Sequence, residues 1–280
     1  MSRYATLFAR LREAKEGAFV PFFMLGDPSP AEALDIIRAA VRAGADALEL
    51  GVPFSDPVAD GPTIQRSHLR ALDHGAQVAD SLEQIRTLRA EFPELPIGML
   101  IYGNVAFTRG IDAFYREFAE AGADSILLPD IPVREARPFA EAAERAGIEP
   151  IFIAPAQASE ETLSGVAALS RGYIYAISRD GVTGTERESS TTGLADVVAN
   201  VQRFHGAPIL LGFGISEPQH VRDALEAGAA GAITGSAITR IIEKHVEGQH
   251  PEPSHVTDMA ALQAEITDYV SAMKAATLAG

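Results

Sequence analysis

Three carboxylates close together carry the chemical interest of this chain. Glu49, Asp56 and Asp60 all lie in the run Leu48-Glu-Leu-Gly-Val-Pro-Phe-Ser-Asp-Pro-Val-Ala-Asp-Gly-Pro-Thr-Ile-Gln65. Glu49 stands alone among apolar residues, where an ionised carboxylate is costly enough that it takes up a proton or finds a partner. No Lys or Arg occurs in the predicted strands to pair with it. A carboxyl group whose pKa is raised by burial donates and accepts protons near neutral pH, so Glu49 is the candidate acid–base group; a structural Glu paired with a buried cation is the competing reading. Asp60, between Ala59 and Gly61, would alone read as a turn former or helix N-cap. Beside Glu49 it becomes a second catalytic candidate, while Asp56 leans towards loop structure. The two aspartates could in principle hold a divalent ion. Two loop acids without a His pair at i, i+4 are a poor ligand set, and no metal is expected.

Anion chemistry is suggested further along. Three glycine-rich turns, Arg179-Asp-Gly-Val-Thr-Gly-Thr185, Gly212-Phe-Gly-Ile-Ser216 and Gly235-Ser-Ala-Ile238, follow the last three predicted strands. Glycines let a backbone approach a ligand closely, and helix N-termini aim unpaired N–H groups at an anion, so together the turns suggest a site for a small phosphate. Phe22, Leu100, Tyr102, Leu127, Ile153, Tyr175 and Phe213 lie near the same strand ends. An apolar slot opposite a phosphate cradle suits a flat hydrophobic substrate with a phosphorylated tail, although each of these residues taken singly could equally be core.

The elements that must position these groups follow a βα repeat. Candidate strands are Phe19–Leu25, Ala45–Val52, Ile97–Tyr102, Ser125–Asp130, Glu149–Ala154, Tyr173–Ser178, Pro208–Phe213 and Gly231–Thr234. Helical stretches end at Gly44, Gly122, Gly147 and Gly228, each leading into a strand, and glycine suits a left-handed C-cap. Eight such units close most economically into an α/β fold of the (β/α)8 TIM barrel type, with an open doubly wound sheet as the alternative. Tyr4, Leu7, Phe8 and Leu11 follow helical spacing and predict an extra N-terminal helix that plugs the barrel floor. Glu247–His255 reads as an exposed loop and Val256–Thr277 as an extra C-terminal helix, so that residues 1–280 form one domain. In the second strand Ala47, Glu49 and Gly51 share one side, which points Glu49 into the barrel, and chemistry in such barrels sits at the C-terminal strand ends.

Composition narrows the partners. With a net charge of −15 the chain lacks the basic surface that nucleic acid or an anionic membrane would require. It has no Cys, hence no disulfide, thiolate nucleophile or Cys-ligated metal. Neither a signal-peptide h-region nor a membrane-length apolar run occurs, so a cytoplasmic location is expected.

The Leu48–Gln65 run resembles the signature of the tryptophan synthase alpha subunit family. The similarity extends through Tyr102-Gly-Asn104, Gly110–Tyr115, Ser178–Gly184, Gly212–Ile215 and Ser271–Ala276. The main departure from the pattern is the segment around Gln249–His255, which looks like an insertion before the last helix. The resemblance implies a cofactor-free lyase that cleaves indole-3-glycerol phosphate to indole and glyceraldehyde 3-phosphate by a retro-aldol step. It implies Glu49 as general acid and base, Asp60 as acceptor of the indole N–H, and Tyr175 beside the catalytic Glu. The same resemblance sets Gly184, Gly214, Gly235 and Ser236 at the phosphate and Phe22, Leu100, Leu127 and Phe213 around the indole. Segments near Phe54–Asp60, including Asp56, and Arg179–Thr192, including Thr183, would be lids. The partner would be a beta subunit carrying pyridoxal phosphate, in an alpha2-beta2 heterotetramer. An alternative within the resemblance is a chain that mainly activates that partner and has weak activity alone. A different phosphate-binding barrel, such as an epimerase, would need another acid–base set.

Overall fold

The computed structural model describes residues 1–177 and 193–278. A parallel sheet of β1 (Ala18–Met24), β2 (Leu48–Gly51), β3 (Ile97–Leu100), β4 (Ser125–Leu127), β5 (Glu149–Ile151), β6 (Ile153–Pro155), β7 (Ile174–Ile177), β8 (Ile209–Gly212) and β9 (Gly231–Thr234) rolls up with the order β5-β4-β3-β2-β1-β9-β8-β7-β6. The eight expected strands thus become nine ladder segments. The fifth changes partners in mid-course: β5 pairs with β4 and β6 with β7, with Phe152 between them. The Phe152 carbonyl accepts the Tyr175 N–H at 3.1 Å, so chain continuity through one kinked strand completes the ring. The (β/α)8 TIM barrel is therefore the observed fold, and the open sheet is excluded.

Alternation along the strands sorts side chains as expected. Leu48 and Leu50 join the cluster beneath the outer helices, whereas Ala47 belongs to the barrel interior. The N-terminal helix α1 (Arg3–Ala14) buries Tyr4, Leu7, Phe8 and Leu11 against Ala18, Val20, Tyr173 and Leu210 in that interior. At roughly 1.5–3 kcal/mol for each large side chain withdrawn from water, packing rather than intrinsic propensity holds this plug. Its rim is fixed by ions: Arg3 and Arg89 both bond Asp124, at 2.8 and 2.5 Å.

Glycine ends the helices where the repeat predicted it. Gly44, Gly122, Gly147 and Gly228 all have positive φ. Gly122, at +106° after α6 (Ile111–Ala121), could not carry a Cβ, which would lie 2.7 Å from the Arg89 side chain.

Near the C-terminus two expectations are corrected. Glu247–His255 is exposed through residue 253, but it is a hairpin rather than a plain loop. Its strands β10 (Val246–Glu247) and β11 (His255–Val256) are antiparallel, and Ser254 is buried. Side chains on a neighbouring helix give it order: Asp73 bonds His250 at 2.8 Å, and His74 bonds the Ser254 carbonyl at 2.6 Å. The last helix, α12 (Met259–Ala275), starts later than expected because Asp258 caps it, accepting the Ala261 N–H at 3.0 Å. Its Leu262, Ile266, Val270 and Met273 are buried, and it packs chiefly on α2 (Pro30–Arg42).

Candidate active site

The β2 strand holds Glu49 between Phe22 on β1 and Gly98 on β3. The side chain is 1% exposed and, among the described residues, accepts a hydrogen bond from one group, the Tyr173 hydroxyl at 2.9 Å. Burial pushes its pKa up to about 7; the Tyr173 bond pulls it down and the charge of Asp60 raises it further. Among the described residues no cation pairs with it.

Asp60 ends the turn after β2 and is 4% exposed. One of its oxygens, Oδ2, accepts the Tyr102 hydroxyl at 2.8 Å and faces the His68 Nε2 at 3.2 Å. Both partners reach back to the turn itself. The Tyr102 oxygen accepts the Ala59 N–H at 3.0 Å, and His68 Nδ1 accepts the Phe54 N–H at 3.0 Å. Phe54 stacks on Tyr102 with ring centres 5.2 Å apart. Helix α3 (Pro62–Asp73) supplies His68 from its buried face and begins with Pro at a position where a missing N–H is harmless.

Opposite lie two of the glycine-rich turns expected to face a phosphate. Helix α11 (Ser236–Lys244) starts directly after Gly235. After β8 the chain turns through Phe213 and Gly214, at φ +66° and +75°. Positive φ is strained for a Phe, and such strain clusters at functional sites. Gly212 cannot be larger, since a Cβ there would meet the Tyr175 hydroxyl at 2.1 Å. Ion pairs tie the two helices together outside the cavity: Arg70 of α3 grips Asp27 through two bonds of 2.6 and 2.8 Å, and Glu243 of α11 bonds Arg70 and Arg66 at 2.9 and 2.7 Å.

A single cavity brings together Phe22, Glu49, Asp60, Leu100, Tyr175, Phe213, Gly214, Gly235 and Ser236. A wider one of about 460 Å³ adjoins it, sharing Asp60, Leu100, Tyr175 and Phe213, and adds Leu127 and Ile153. Asp56 stays apart from both: it is exposed and bonds Ser55. Thr183, Gly184 and the second expected lid lie outside the described residues. Sequence reasoning overlooked Tyr173 and His68, and it placed Tyr102 at the mouth without its partner. Tyr173 sits two residues before Tyr175, so strand alternation turns both inward. His68 lies four residues after Ile64 on the face of α3 that is buried, which is also a readable signal. Among the described residues no group of three or more His, Asp or Glu side chains is arranged to hold a metal.

Comparison with known proteins identifies the family. The family model described as tryptophan synthase alpha chain matches residues 8–271. The tryptophan synthase alpha chain of Corynebacterium diphtheriae is 74% identical over 277 residues, covering 99% of this chain and 100% of the relative. That of Corynebacterium efficiens is 72% identical, covering 99% of each. A solved structure of tryptophan synthase from Mycobacterium tuberculosis superposes with a TM-score of 0.85 at 27% identity, over 100% of this chain and 99% of that one. The chain belongs to the tryptophan synthase alpha chain family, the lyases that cleave indole-3-glycerol phosphate.

Proposed function

We propose that Glu49 is the acid–base group of this cleavage and that Asp60 accepts the indole N–H. The carrying observation is that a carboxyl group with a pKa near 7 and a second carboxylate held by two outside groups line one cavity. Protonated Glu49 gives its proton to indole C3, which leaves an indolenine-like cation whose charge Asp60 offsets. The Glu49 carboxylate then removes the proton of the side-chain hydroxyl next to the ring. That oxygen becomes the aldehyde of glyceraldehyde 3-phosphate as the carbon–carbon bond breaks, and the bond's electron pair returns to the indole. Protons and electrons balance with no external oxidant or metal. Tyr175, bordering the same cavity, keeps the substrate against Glu49.

Gly214, Gly235 and Ser236 suit the phosphate, since they gather at a turn of positive φ and the N-terminus of α11. Gly184 is proposed to complete that cradle. Phe22, Leu100, Leu127 and Phe213 provide apolar walls for the indole ring. Asp56 and Thr183 are assigned to lids that close over the substrate and exclude water. Residues 1–280 are read as one barrel domain.

In this family the alpha chain works without a cofactor and pyridoxal phosphate belongs to the beta chain. The chain is the alpha component of a tryptophan synthase complex; the proposed assembly is an alpha2-beta2 heterotetramer in the cytoplasm. Among the described residues no helix is long and apolar enough to cross a membrane. The deciding assay is indole release from indole-3-glycerol phosphate by Glu49→Gln with the beta subunit present. Loss of release from a folded chain is expected, and near-normal turnover would overturn the assignment.

A further inference from the structure

We propose that His68 is a positioning residue which holds Asp60 by one oxygen and so presents the other to the substrate. The inference rests on the reading of Asp60 as the acceptor of the indole N–H. His68 is 2% exposed and its two ring nitrogens have different neighbours. Nδ1 lies 3.0 Å from the Phe54 nitrogen, whose N–H can only donate, so Nδ1 carries no proton. The ring proton of the neutral imidazole is therefore on Nε2, which faces Asp60 Oδ2 at 3.2 Å and donates to it. The backbone of the turn thus selects the tautomer that grips the carboxylate.

Tyr102 donates to that same Oδ2 at 2.8 Å. Both donors converge on one oxygen, and no described group donates to Oδ1, although Asp60 borders the cavity. A carboxylate clamped at Oδ2 can rotate only about the axis through its anchors, which keeps Oδ1 available for an N–H within the cavity. His68 touches no substrate in this arrangement. It acts through Asp60, and its reach to Phe54 places that carboxylate and the start of its turn in one register.

Paired substitutions separate the two bonds. A Gln side chain places its amide nitrogen near the Nε2 position and keeps the donor to Asp60; an Asn side chain places its oxygen near Nδ1 and keeps the acceptor for Phe54. The full-length chain, saturated with glycerol 3-phosphate, is tested for binding of indole and of benzofuran, which has the same outline without an N–H. The unaltered protein is expected to prefer indole by about tenfold or more, the usual discrimination by a hydrogen bond to a charged acceptor. His68→Ala and His68→Asn should reduce that preference to below about threefold, and His68→Gln should restore most of it. With the beta subunit present, kcat should fall about tenfold in His68→Asn while KM stays within about twofold. If the unaltered protein prefers indole and His68→Asn does so equally, the positioning role is overturned although Asp60 keeps its own. If the unaltered protein shows no preference, the reading of Asp60 itself fails and this inference falls with it. Should His68→Ala not fold, the Asn and Gln pair decides the question, because each retains one of the two bonds.

Discussion

Glu49 and Asp60 are buried to almost the same degree, yet a strand seats one and a turn seats the other. The strand gives Glu49 rigid, apolar surroundings that raise its proton affinity, opposed among the described residues by one hydroxyl. The turn gives Asp60 two donors from outside the turn, each also pinning a backbone N–H within it. Burial alone therefore does not assign a role to an acid. What separates the two is the number of donors and the kind of element that delivers them.

The contrast breaks most sharply at the strand. Glu49→Gln, which cannot shuttle a proton, should lower turnover by about 10³-fold or more, measured as indole release. Asp60→Asn keeps the shape but loses the charge proposed to offset the indolenine-like cation, and a drop of about 10²-fold is expected. Equal losses in kcat and kcat/KM would mark an interaction made in the transition state; a change confined to KM would reduce Asp60 to ground-state binding.

Stability offers a test independent of catalysis. The folded-state pKa of Glu49 lies above its value of 4.5 in an unfolded chain, so the folded form binds the proton more tightly. Its contribution is most favourable below pH 4.5, is lost as pH rises to about 7, and is level beyond that. Removing the titration with Glu49→Gln should thus make the protein more resistant to urea at pH 8, by up to about 3 kcal/mol, with little difference near pH 4.5. A gain independent of pH would contradict the burial account.

Smaller effects sharpen the comparison. Tyr173→Phe removes the described donor that opposes the rise in Glu49, so the limb of the pH–rate profile belonging to Glu49 should move to higher pH. Tyr102→Phe takes a donor from Asp60 and leaves Glu49's hydroxyl partner alone. About a tenfold loss of kcat is expected with that limb unmoved. If the two tyrosines gave the same profile, the seats would not be distinct.

Most of this was legible before any coordinates, for identifiable reasons. Period-two alternation turned Glu49 inward, the glycine junctions counted the βα units, and the spacing of Tyr4, Leu7, Phe8 and Leu11 described the plug. The kink at Phe152 was hidden, because a strand that exchanges one neighbour for another keeps its apolar pattern. So was the hairpin around Gly248, whose order comes from Asp73 and His74, far away in the chain. His68 and Tyr173 escaped notice for a related reason: sequence shows which way a side chain faces more readily than what it meets there.

The ion pairs among Asp27, Arg70, Glu243 and Arg66 work as a gauge. They set the distance between the helix that begins at the proposed phosphate cradle and the helix that follows Asp60, and they do so from outside the cavity. On the proposed reading, the span between the phosphate cradle and Asp60 then follows a helix spacing held by ion pairs outside the cavity.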